Sequence, residues 1–293
     1  MELLRRGEEI LAGANPAGEK VDLLRPGVAG NWQTGGFLVQ CWANYSHLTG
    51  TAVRDDVDVS VIAPAFNEEG NVGPLIERIH EVFGPTGLVY EAVIVDDCST
   101  DGTAQKLAEL KQKYPWVRVI RLNKNSGQSA AMHAGFKHAW GKVFGTVDAD
   151  MQNDPGEIVR LMKLLGPDVD MVNGWRKDRA DKNKGMRRLQ SKIANGIRNW
   201  ISGDNIQDSA CGLKVYKREC VQEIAVFKGM HRFFPTLVKM RGFKVIEVPV
   251  THSARLTGVT KYKFGSRVIR AFFDLLAVRW LKSRVIVYKS QEV

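Results

Sequence analysis

From Val57 onward the chain alternates between two hydrophobic rhythms. Short apolar, β-branched runs at Val57–Ala63, Val89–Val95, Val117–Leu122, Val143–Val147 and Val169–Val172 predict buried strands. Between them, Val72–Phe83, Thr100–Lys113, Ser126–Trp140 and Pro155–Leu165 predict helices. Strands alternating with helices of this length build right-handed βαβ units, so the expected fold is α/β with a mostly parallel sheet flanked by helices. A later apolar run, Phe243–Val250, predicts one more strand. It is followed by a loop, Thr251–Gly265, and a final helix over Ser266–Ser283 that mixes aromatics with arginines. Residues 1–56 are glycine-rich and irregular, with scattered Trp32, Phe37, Trp42 and Tyr45, and predict an extension without chemistry of its own. The expected organisation is therefore a 1–56 extension, a 57–250 α/β domain, and a 251–293 loop and amphipathic helix whose apolar and basic residues suit a membrane surface.

Polar residues collect where the predicted strands end. Pro64-Ala65-Phe66-Asn67-Glu68-Glu69 follows the first strand, Asp96-Asp97-Cys98-Ser99 the second, and Asp148-Ala149-Asp150 the fourth. In parallel sheets, ligands gather beyond the carboxyl ends of the strands. If the fourth strand stays extended, Asp148 and Asp150, two residues apart, point the same way. Two hard oxygen donors in a cleft suit Mg2+ or Mn2+, with phosphate oxygens and water completing the shell. A second reading stays open for this tripeptide, in which the acids cap the helix begun at Asp154-Pro155. The stretch Asp97–Gly102 likewise reads as a turn and helix cap at Ser99 and Asp101. A glycine-rich dinucleotide turn and a P-loop are both missing after the first strand, which disfavours nicotinamide, flavin and P-loop chemistry. Acidic strand ends fit a nucleotide diphosphate handled through a divalent cation, with Asp96 or Asp97 accepting hydrogen bonds from base or ribose.

Charge adds a partner. The formal net charge is +10 on 293 residues, while the hydrophobic share, 44%, is ordinary for a globular protein. Such an excess draws the protein toward polyanions: nucleic acid, anionic lipid or phosphorylated substrates. No reader motif with interleaved aromatics is present, so nucleic acid is not expected as a partner. The four cysteines show no CxxC pair or zinc-like spacing, in keeping with a reducing compartment. Neither a spanning apolar run nor a signal core is evident, and a cytoplasmic protein is expected, peripheral on the cytoplasmic face of the membrane.

Four segments in order, Val-Ile-Ala-Pro-Ala-Phe-Asn-Glu-Glu, Val-Asp-Asp-Cys-Ser-Thr-Asp-Gly-Thr, Asn-Ser-Gly-Gln-Ser-Ala-Ala and Asp-Ala-Asp-Met-Gln-Asn-Asp-Pro, resemble the motif series of family-2 glycosyltransferases on the A-type nucleotide-sugar fold. The resemblance covers about residues 57–220. More narrowly, Gln152, the basic stretch Arg176–Asn195 with Ser191, and Arg255 with Lys261-Tyr262 resemble polyprenyl-phosphate glycosyltransferases. The family resemblance implies that Pro64, Ala65, Asn67 and Glu68 line a nucleotide pocket, with Glu69 nearby. It implies that Asp96 meets the base, Asp97 the ribose side, and that Gly127 and Ala130 border the pocket. Asp148, Asp150 and Gln152 are implied to bind the metal and diphosphate, Asp150 being the catalytic residue. Arg187, Ser191, Arg255 and Lys261 are implied to hold the acceptor phosphate.

The reaction so implied is inverting transfer of a sugar from a nucleotide-sugar donor to polyprenyl phosphate. The alternative is a nucleotide-sugar transferase acting on a glycan or protein hydroxyl. A homo-oligomer or a membrane-protein partner stays open. The family's Ser-Gly-Phe/Tyr-Arg stretch reads Ser209-Ala210-Cys211-Gly212-Leu213-Lys214 here, which leaves Asp208 without an assigned role. Arg279-Trp280 lacks the glutamine of the processive synthases' Gln-x-x-Arg-Trp.

Overall fold

The computed structural model describes residues 56–176, 203–253 and 265–287, together with Gly196 and Asn199; over 265–271 only the backbone is described. Seven strands, β1 Val59–Ala65, β2 Tyr90–Asp96, β3 Val117–Arg121, β4 Val143–Thr146, β5 Met171–Arg176, β6 Lys214–Lys217 and β7 Val245–Val250, form one sheet in the order β3-β2-β1-β4-β6-β5-β7. The pairs β1–β2, β2–β3, β1–β4 and β5–β7 are parallel, while β6 is antiparallel to both β4 and β5. Six strands therefore run one way and β6 alone runs back. The sheet is mostly parallel, as expected, and β6 is the strand that the hydrophobic pattern did not predict.

Side chains alternate across the sheet with the period of an extended chain. Val59, Val61 and Ala63 of β1 and Ala92 and Ile94 of β2 enter one core with Leu75, Ile76 and Ile79 of α1 (Glu69–Phe83), Leu107 of α2 (Thr103–Lys113) and Ile158 of α4 (Gly156–Met162). Ile62, Val93 and Val95 enter the other, with Ala131, Met132 and Phe136 of α3 (Gln128–His138), Phe234 and Leu237 of α5 (Phe234–Met240), and Leu275 and Val278 of α6 (Gly265–Lys282). Burial on both faces explains why the strands read as unbroken apolar runs rather than alternating ones.

Several boundaries differ from the sequence expectation for local reasons. Helix α2 begins at Thr103, not Thr100, because Asp101 Oδ1 accepts hydrogen bonds from the Thr103 amide (3.0 Å) and hydroxyl (2.5 Å) and so holds residues 99–102 in a turn. Helix α3 begins after Gly127, whose φ of 86° and ψ of 163° no side chain tolerates well. Strand β4 stops at Thr146, so Asp148 and Asp150 do not lie on an extended strand as expected. Ala149 and Asp150 sit in a turn, followed by Met151 at φ 58°.

Candidate active site

The register aligns Ala65 with Asp96 and Ile62 with Thr146, so the loops after β1, β2 and β4 leave the same edge of the sheet. Each contains one non-glycine residue in the left-handed region: Asn67 (φ 54°), Cys98 (φ 60°) and Met151 (φ 58°). Such residues gather where surrounding structure over-determines the backbone, often at functional sites.

The first two loops are laced together. The Asn67 amide donates to Ser99 Oγ (2.9 Å), and Asn67 Oδ1 accepts from the Thr100 amide (2.8 Å). The Glu68 amide donates to Thr103 Oγ1 (2.8 Å), and Glu69 Oε2 accepts from the Gly102 amide (3.1 Å). Below this lacing Asp96 is fully buried. Its Oδ1 accepts from the Ser99 amide (2.9 Å), whereas its buried Oδ2 has no hydrogen-bond donor, although Arg121 Nε stands 3.4 Å away as a charge partner. Leaving a buried acceptor unmatched costs about 1–3 kcal/mol, so Oδ2 marks a place for a ligand N–H. Asp97 has a scaffold role as well: its Oδ1 accepts from the Ser126 amide and its Oδ2 from the Gly127 amide, both at 2.7 Å. It thereby fixes the entry to α3.

From the first turn of α3, Gln128 Nε2 donates to Asp148 Oδ1 (2.9 Å). The other side of the Asp148 carboxylate lies against Gly212, where an added Cβ would come within 2.1 Å of Oδ2. Only a residue without a side chain leaves room for that carboxylate. Asp150 is buried, and its Oδ1 accepts from the Gln152 amide (3.2 Å). Gln152 is pinned in turn to the chain beyond β7, since its carbonyl accepts from the Ser253 amide (2.8 Å). Asp154 belongs to the scaffold: Arg78 grips it with two hydrogen bonds of 3.0 Å, and it caps Gly156 at 2.9 Å. Asp154 thus braces the first amide of α4, whose N-cap residue Pro155 makes no side-chain cap. Arg78 holds the Asp154 carboxyl below its usual range, against the opposing pull of burial.

Among the described residues no three His, Cys, Asp or Glu side chains cluster as a protein-only metal cage. Two carboxylates with a carboxamide neighbour are a hard oxygen donor set that leaves coordination positions to phosphate oxygens and water, which fits Mg2+ or Mn2+.

Behind Asp148, a second buried charge system steadies the loop carrying Gly212. Arg176 grips Asp208 through Nε (2.7 Å) and a terminal nitrogen (2.8 Å). Burial opposes the Arg176 charge, but the hydrogen bonds and charge of Asp208 outweigh it and the pKa is raised; Asp148 adds in the same direction. Glu247 of β7 accepts from the amides of Gln207 (2.7 Å) and Asp208 (3.2 Å), and Thr146 Oγ1 donates to the Gly212 carbonyl (2.8 Å). Lys214, fully buried, donates to the Cys211 carbonyl, and burial pushes its ammonium pKa down.

Of the residues expected at the site, Pro64, Ala65, Asn67, Glu68, Asp96, Asp97, Gly127, Ala130, Asp148, Asp150 and Gln152 all lie on or beside these loops at one sheet edge. Arg187, Ser191, Arg255 and Lys261 lie outside the described residues. Sequence reasoning missed Gln128, Gly212 and the Arg176–Asp208 pair. Gln128 stood inside a recognised motif, next to Gly127; Gly212 and Asp208 stood in or beside a stretch that departs from the family's pattern, and their roles arise from contacts with residues distant in the chain.

The family model for glycosyl transferase family 2 matches residues 60–225. A dodecaprenyl-phosphate galacturonate synthase from Rhizobium johnstonii is 36% identical over 76% of this chain and 66% of its own length. An undecaprenyl-phosphate 4-deoxy-4-formamido-L-arabinose transferase from Edwardsiella ictaluri is 35% identical over 74% of this chain and 66% of its own length. The chain thus spans just under two thirds of the curated relatives it matches. Among solved structures, a mannosyltransferase from Pyrobaculum calidifontis in complex with GDP-Man and Mn2+ superposes with a TM-score of 0.55 at 19% identity, covering 84% of this chain and 70% of that one. A glucosyl-3-phosphoglycerate synthase from Mycobacterium tuberculosis in complex with Mn2+, UDP and phosphoglyceric acid gives 0.54 at 19% identity, covering 80% of each chain. At that identity the likeness concerns the fold.

Proposed function

Because the chain belongs to glycosyl transferase family 2, we propose that it transfers one sugar, with inversion, from a nucleotide-sugar donor to a polyprenyl phosphate at the cytoplasmic face of a membrane, with Mg2+ or Mn2+. The observation that carries this reading is the gathering of Asp96, Asp148 and Asp150 on one sheet edge, with Asp96 Oδ2 buried and short of a donor. Support for the lipid acceptor comes from the two curated relatives, both named as polyprenyl-phosphate sugar transferases.

In this reading Asp96 Oδ2 accepts a ring N–H of the base, and Pro64, Ala65, Asn67, Glu68, Asp97, Gly127 and Ala130 shape the nucleotide pocket. Asp148, Asp150 and Gln152 hold the cation, which when bound offsets the charge of the departing diphosphate. Gln128 and Gly212 set the direction of the Asp148 carboxylate. The acceptor phosphate is already anionic at neutral pH, so no strong general base is required of the protein. Its task is to hold a phosphate oxygen behind the anomeric carbon, and Arg187, Ser191, Arg255 and Lys261 hold that phosphate. Arginine suits the role because its planar fork binds two oxygens at once.

The test is incubation with polyprenyl phosphate and a panel of radiolabelled nucleotide sugars, followed by butanol extraction. Label in the butanol phase, abolished by EDTA and restored by Mg2+ or Mn2+, is expected. Label found only on water-soluble glycan or protein would overturn the acceptor assignment. Within the same assay Arg255→Ala is expected to raise the apparent KM for polyprenyl phosphate while leaving nucleotide-sugar affinity unchanged.

A further inference from the structure

One transverse row of the sheet changes character halfway across. It starts with Val93 of β2 and Ile62 of β1, and the register carries it through Thr146 of β4, Lys214 of β6, Asn173 of β5 and Glu247 of β7. Paired residues of neighbouring strands share a face of the sheet. Val93 and Ile62 are core residues, whereas the next four are polar, and Thr146, Lys214 and Asn173 are nonetheless buried almost completely. Burying an ammonium is costly, and an apolar side chain of similar volume would fill that place without the cost. Packing therefore gives no reason for a lysine at 214, so the reason lies in what it holds.

All four polar side chains bond to the backbone of one turn, residues 207–212. Glu247 takes the amides of Gln207 and Asp208, and Asn173 Nδ2 donates to the Asp208 carbonyl (3.1 Å). Lys214 Nζ donates to the Cys211 carbonyl, and Thr146 Oγ1 to the Gly212 carbonyl (2.8 Å). These last two bonds act on either side of one residue. The Cys211 carbonyl belongs to the peptide entering Gly212, and the Gly212 carbonyl to the peptide leaving it. Both peptide planes beside the glycine are thus fixed. With them is fixed the surface against which the Asp148 carboxylate lies, since even a Cβ at Gly212 would meet Oδ2 at 2.1 Å. Thr146 is the last residue of β4, two before Asp148, so its bond ties the turn to the strand that leads to the acid.

We propose that Lys214 is a positioning residue for Asp148: by holding the Cys211–Gly212 peptide from within the sheet, it fixes the direction in which that carboxylate points. Being buried, it acts through the peptide and does not reach a ligand itself. An ammonium suits the task, because a charged donor grips a carbonyl more tightly than a neutral one. The polar half of the row is then explained as a unit. It stands where the sheet passes beneath the turn, and the row is apolar where β1 and β2 pass beneath other loops.

The inference rests on the proposed cation site for its purpose, and its test includes a measurement made without metal. Protein-bound Mn2+ is measured by equilibrium dialysis of the full chain, with UDP or GDP on both sides. Lys214→Met keeps a long, buried side chain and removes the ammonium, and it is expected to raise the Mn2+ Kd about tenfold. Gly212→Ala is expected to raise it as well. The double variant is expected to bind no more weakly than the weaker single variant, because both disturb one carboxylate. An unchanged Kd in folded Lys214→Met overturns the proposal, as do effects that add in full. If Lys214→Met does not fold, Lys214→Gln takes its place. The metal-free measurement is a urea-unfolding cycle of the lysine variant with Asp148→Ala. Removing the acid is expected to change the cost of removing the lysine, and strictly additive costs overturn the proposal. If the wild-type chain takes up no Mn2+, the cation reading fails, and the urea cycle decides this inference by itself.

Discussion

Asp148 and Asp150 are separated by one alanine and held in different ways. Asp148 is aimed by a glutamine from α3 and by the absence of a side chain at Gly212, while Asp150 is buried against the Gln152 amide. Asp150→Asn removes one of two anionic donors without altering shape. Turnover is expected to fall by about two to three orders of magnitude, with the melting temperature unchanged; near-normal, EDTA-insensitive turnover would refute the metal role. Gly212→Ala tests the other carboxylate. A methyl group within 2.1 Å of Asp148 Oδ2 must push the carboxylate aside, and a displacement of that order is expected to lower kcat/KM by about a hundredfold. The two acids were legible in the sequence because Asp-Ala-Asp is a local signal. Their supports were not, since nothing near Gly212 in the chain announces the carboxylate that will lie on it.

Elements were legible in proportion to how strongly local pattern dictated them. Strands β1 and β2, buried on both faces, followed directly from their apolar runs. Strand β6 did not, because Lys214-Val215-Tyr216-Lys217 is short and begins and ends with lysine; it is a strand because tertiary contacts bury even Lys214. Helix α3 joins the active site to the far core in a way no periodicity could reveal. Ser129, one residue past Gln128, accepts a hydrogen bond from the Gly229 amide (2.9 Å) and pairs with His231 Nδ1 (2.8 Å), and the adjacent Arg232 holds Asp274 of α6. Ser129→Ala strands a buried amide, so urea unfolding is expected to show a loss of about 1–3 kcal/mol. Adding back the hydroxyl as Ser129→Thr should recover part of it.

Across the described molecule, the parallel block β3-β2-β1-β4 carries every acid of the proposed donor site. The block was readable as βαβ repetition from the sequence alone. The far side of the sheet was not, since its order depends on β6 slipping between β4 and β5 from a later stretch of chain. That reversed strand has a consequence for how such a protein can change. Strand β5 leaves the sheet on the acidic edge, and β6, running backwards, re-enters from that same edge. The two described ends of that connection, Arg176 and Lys214, therefore lie on one rim. Chain between those ends can be lengthened, shortened or exchanged for a relative's while the hydrogen-bond ladder beneath stays in register, so long as Asp208 and Gly212 are kept. On the proposed assignment of Arg187 and Ser191 to the acceptor, its preference can then drift across a lineage, or be grafted in the laboratory, while the nucleotide half of the protein keeps its old habits.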